Sequence, residues 1–90
     1  MNTLEPKIEF LGDHDYLVRI AMGGDVVTVR TYADPDVVSR IGGDERRVVA
    51  ATIAYLTARQ RADDLPADLD LQDVAAAYDD YLDRLRADLS

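Results

Sequence analysis

Three stretches of this sequence hold residue types that could do chemistry. His14, the single histidine of the chain, stands between Asp13 and Asp15. A metal ion needs ligands converging from separate positions, and three consecutive side chains converge poorly, so the expected role of Asp13-His14-Asp15 is a polar turn. Asp79, Asp80 and Asp83 could supply paired carboxylates for acid–base work or for magnesium. Catalytic carboxylates need burial and a cleft, whereas these three point away from the apolar stripe of their segment. They are read instead as a solvated helix face whose functional use would be docking on a basic partner.

The third stretch is Gly42-Gly43-Asp44-Glu45-Arg46-Arg47. Glycines before a helix start, followed by two arginines in its first turn, could present backbone N–H groups and guanidinium groups to a phosphate. Gly42, Gly43, Arg46 and Arg47 are therefore the candidate anion-binding residues. The segment lacks the lysine and the Ser/Thr of a phosphate-binding loop, and Asp44 with Glu45 already supply negative charge. A capped helix start with local ion pairs is the favoured reading.

The chain has no cysteine, which removes disulfides, thiolate zinc sites and cysteine nucleophiles together. No serine sits in a nucleophile elbow, and one histidine cannot support a triad neighbourhood. No catalytic residue, cofactor or metal ligand is assigned, no motif ties the chain to a known family, and the expectation is a protein that is not an enzyme.

The elements that would position these residues follow from periodicity. Ninety residues suffice for one small domain, which buries roughly 60–65% of its unfolded surface. Residues 7–32 alternate with period two: Ile8 and Phe10, then Tyr16, Val18, Ile20 and Met22, then Val27, Val29 and Thr31. Gly12-Asp13-His14-Asp15 and Gly23-Gly24-Asp25 separate the runs, so a three-stranded antiparallel meander is expected. The second turn falls on Gly23-Gly24 or Gly24-Asp25 with the same side-chain parity. Asp34-Pro35-Asp36 opens a short helix from Pro35 to Ile41, which Gly42 stops. Asp44 caps a longer helix, Glu45 to Arg61, that is apolar on two sides and so must be covered on two sides. After a polar linker from Ala62 to Ala67, Asp70 caps a last helix. Leu71, Val74, Ala75, Tyr78, Tyr81, Leu82, Leu85 and Leu89 share one face of it. The expected architecture is α+β in the order β-β-β-α-α-α, one domain over residues 1–90, with the helices packed on one face of the sheet.

Composition bounds the partners. Eighteen acids against ten bases give a net charge of −8, which argues against a general affinity for nucleic acid or anionic lipid. The charge is segregated, because residues 1–61 carry −1 and residues 62–90 carry −7. Asp68, Asp70 and Asp73 suit the positive end of the last helix, and Arg84 and Arg86 its negative end. Asp80 and Arg84 form an i,i+4 pair. On the outward sheet face, Lys7, Arg19 and Arg30 with Tyr32 make a mildly basic surface, but a stacking platform for single strands needs more than one aromatic. Glu5, Lys7 and Glu9 interrupt any apolar leader between Met1 and Gly12, so a cytosolic location is expected. The functional expectation is a protein-interaction or accessory module meeting a protein partner, self-association included. The alternative is a phosphate-containing ligand or nucleic acid bound through Gly42–Arg47 or the Arg19/Arg30 face.

Overall fold

The computed structural model describes residues 6–89, so the reading of the N-terminal leader rests partly on residues 1–5 that lie outside the described part. The alternating segment folds as expected into β1 (Lys7–Gly12), β2 (Asp15–Met22) and β3 (Asp25–Tyr32), an antiparallel meander. Met22 pairs with Asp25, which fixes Gly23-Gly24 as the second turn. Gly23 adopts φ +58°, the left-handed conformation that a tight hairpin asks of its first loop residue. At the first turn Asp13 and His14 both take positive φ, and the register slips past Leu11, leaving it as a bulge. Val18 faces Val29 and Tyr16 faces Thr31, and all four are buried on the inner side of the sheet.

Among the described residues the sheet has four strands rather than three. β4 (Asp68–Asp70) runs parallel to β3, pairing Arg30 with Asp68, Thr31 with Leu69 and Tyr32 with Asp70. The Arg30 amide also donates to the Ala67 carbonyl at 2.8 Å. Three residues of alternation between a polar linker and a helix cap are too short to register as a strand, and that is why the expected meander was incomplete. The result is a mixed sheet in the order β1-β2-β3-β4.

Helix α1 (Pro35–Ile41) starts as read, with the Asp34 carboxylate accepting from the Asp36 and Val37 amides. Helix α2 (Glu45–Thr57) is capped by Asp44, which accepts from the Arg47 amide. It ends at Thr57 rather than Arg61, and residues 62–64 form a 3₁₀ turn. The expected last helix is two helices, α3 (Leu71–Ala77) and α4 (Tyr81–Leu89), broken where Tyr78 turns extended. Asp79 and Asp80 are helix-start residues, and the Asp80 carbonyl receives the Arg84 amide in the first turn of α4. The break carries Tyr81 onto α2, its hydroxyl 2.6 Å from Thr52 Oγ1, while Tyr55 donates to the Asp80 carboxylate. Leu71, Val74, Tyr81 and Leu85 still enter the core on either side of the break, so the apolar stripe could not reveal it. The two-sided α2 is covered as its pattern requires: Ile53 lies beside Ile20 and Met22 of the sheet, and Tyr55 packs on Tyr78 and Tyr81.

Candidate functional site

The parallel pair β3–β4 builds a groove that the sequence did not foreshadow. β3 presents Arg30 and Tyr32 on its outward face. β4 sets Asp68 beside the first and Asp70 beside the second. Asp15 faces Tyr32 from β2, and Asp73 adds the first turn of α3. With Leu69 these side chains line an open groove of about 220 Å³. Arg30 bonds Asp15 at 3.0 Å, and Asp70 accepts the Gln72 amide at 2.9 Å as the cap of α3. Asp68 and Asp73 are exposed and have no ion pair among the described residues. Four carboxylates and one guanidinium thus line one groove beside an aromatic ring, an excess of negative charge that attracts a cation.

On the inner side of the same sheet end, Glu45 gathers the first hairpin onto α2. Its carboxylate bonds His14 Nδ1 at 2.7 Å through one oxygen and accepts from the Tyr16 hydroxyl at 2.7 Å through the other. Burial of the Tyr16 phenol, reinforced by this carboxylate, pushes its pKa up to about 12. The His14 ring meets Tyr32 edge-on, with centroids 6.4 Å apart. Sequence reasoning read Glu45 only as a helix-start acid. Nothing local in the sequence marks it as the clamp of a hairpin thirty residues away.

The candidate anion-binding residues do not share a task. Gly42 and Gly43 both hold positive φ in open space, and the Gly42 amide donates to the Val38 carbonyl, so these glycines serve the turn between α1 and α2. Arg46 leaves the helix start for the sheet edge, where it donates to the Ile8 carbonyl. Arg47 is exposed.

The candidate partner-binding acids also divide. Asp80 accepts from Tyr55 and lies 3.4 Å from Arg59, and the Tyr55 hydrogen bond, aided by that guanidinium, holds its carboxyl below the usual carboxylate range. Asp83 bonds Arg86, which also donates to the Arg40 carbonyl at 2.6 Å. Asp79 is exposed with no ion pair among the described residues. Arg84 reaches Asp88 at 3.9 Å rather than forming the expected pair with Asp80. On the outward sheet face Glu9 neutralises Arg19 as Asp15 neutralises Arg30, so the expected basic surface shrinks to Lys7.

Comparison with family models, with curated proteins and with solved structures finds no match to this chain. Among the described residues no His, Asp and Glu side chains assemble into a metal-ion cluster, and no helix is long and apolar enough to cross a membrane. Fold and site together define a small mixed-sheet α+β domain with an acidic groove at the carboxyl ends of its parallel strand pair.

Proposed function

We propose that this domain is a non-catalytic protein-interaction module whose groove takes a basic segment of a partner protein. The observation that carries the reading is the excess of carboxylate over guanidinium around Tyr32: Asp15, Asp68, Asp70 and Asp73 against Arg30. A lysine or arginine entering beside the ring gains both the field of the acids and the face of the aromatic. Asp79, beyond the far end of α3, offers the same partner a further uncompensated charge.

The distribution of cations weighs against the polyanion alternative. Seven arginines stand in ion pairs with acids, and Arg46 is held by a backbone carbonyl. Lys7 and Arg47 remain uncommitted among the described residues, and phosphate-backbone binding draws on several free cations at once.

The test is a calorimetric titration of the protein with a short arginine- and lysine-rich peptide at low and at moderate salt. Asp68→Asn combined with Asp73→Asn should weaken binding by about tenfold or more, with the loss shrinking as salt screens the field. Equal affinity for the double variant, or tighter binding of an acidic peptide, sinks the groove reading.

A further inference from the structure

The edge of the sheet opposite the groove is self-complementary, and we propose that β1 pairs antiparallel with β1 of a second copy about a two-fold axis at Ile8. Among the described residues β1 is the outer strand, with β2 as its single strand neighbour. The tight turn makes Met22 and Asp25 a hydrogen-bonded pair, so alternate residues back along β2 turn their backbone groups toward β3, and those between turn toward β1. Lys7 pairs with Arg19 and Glu9 with Leu17, so Lys7 and Glu9 bond inward while Ile8 and Phe10 present their backbone groups at the open edge. The Ile8 carbonyl is indeed reached from outside, by Arg46.

Charge selects the occupant and the register. Two copies related by a two-fold axis normal to the sheet keep same-face side chains opposite each other only if the axis falls on a residue. An axis at Lys7 or at Glu9 sets like charges face to face. An axis at Ile8 sets Lys7 of each copy against Glu9 of the other, twice, where Glu9 also meets Arg19 of its own chain, and brings Phe10 opposite Pro6. Lys7 needs such an acid, because its cross-strand neighbour within the chain is Arg19 and it has no ion pair among the described residues. Phe10, 57% exposed, would be covered in the same step. The pairing adds reciprocal Ile8 bonds and a bond from each Phe10 amide to the Pro6 carbonyl of the other copy. A carbonyl has two lone pairs, so Ile8 can accept from its counterpart while Arg46 remains in place.

This surface lies at the other edge from the groove and stands or falls separately from it. Sedimentation equilibrium across about 10 µM to 1 mM, a range that populates weak dimers, reads it directly. The wild-type chain should populate a dimer, Lys7→Glu should raise its dissociation constant at least about tenfold, and Lys7→Glu with Glu9→Lys should restore it to within about threefold. Each variant is first checked for the native amide spectrum, and Asp68→Asn with Asp73→Asn should leave the dimer unchanged. A monomer at every concentration overturns the proposal. So does a dimer indifferent to Lys7→Glu, one that the double charge inversion fails to restore, or one that the groove variant weakens.

Discussion

The two edges of the sheet solve the same problem in different ways. At the β3 edge the chain returns on itself, so β4 supplies the missing pairing for Arg30 to Tyr32 and buries Leu69. At the β1 edge no strand returns among the described residues. One arginine side chain takes the Ile8 carbonyl, while Phe10 and Leu11 stay exposed at 57% and 45%. An unpaired edge invites another strand, and charges placed along it limit which strand can join. The closed edge thereby becomes a rigid frame for carboxylates, and the open edge a surface whose charges fit a copy of itself.

This contrast predicts unequal costs for comparable truncations. Leu69→Ala should destabilise the domain by about 2–4 kcal/mol, because it empties a buried site and loosens the strand that closes the sheet. Ile8→Ala, at a half-buried position on the open edge, should cost about 1 kcal/mol or less. Urea denaturation compares the two, and equal losses would erase the distinction between the edges.

Alkaline pH tests the buried tyrosines behind them. Tyr16 lies under the β1 side and Tyr81 between α2 and α4, and burial raises both phenols to about 12. In each case the folded state holds its proton after the unfolded state has released it. Their contribution is therefore complete below about pH 10 and is lost progressively toward pH 12. Stability followed over pH 9–12 should fall, and Tyr16→Phe should flatten part of that fall.

The smallest effect concerns Thr31, fully buried beside Leu69; the Thr31 hydroxyl has no hydrogen-bond partner among the described residues. Thr31→Val removes that unsatisfied group at nearly constant shape and should stabilise the closed edge by roughly 0–2 kcal/mol. A clear destabilisation in a thermal melt would show that the hydroxyl is satisfied in solution.

Much of this architecture was legible in the residues. Alternation from Lys7 to Tyr32 contains the meander, and the caps Asp34, Asp44 and Asp70 mark helix starts that the structure places at those residues. β4 was not legible because its three residues derive their strand character from β3 rather than from their own pattern. The break before α4 was hidden because Leu71 to Leu89 keep one helical phase across it. The groove depended on the first of these non-local facts, and the place of Asp80 on the second. Asp68, Asp70 and Asp73 read as helix-dipole acids until β4 laid them beside Arg30 and Tyr32. Asp80 read as a solvated acid until the break brought it to Tyr55.

The proposed function places a basic partner at the β3–β4 end of the sheet. Amide NMR spectra recorded while an arginine-rich peptide is added test it most directly. Shifts should concentrate at Asp15, Arg30, Tyr32 and Asp68 to Asp73, fading with salt. Spectra that stay unchanged at millimolar peptide, or shifts confined to Gly42–Arg47, would contradict it.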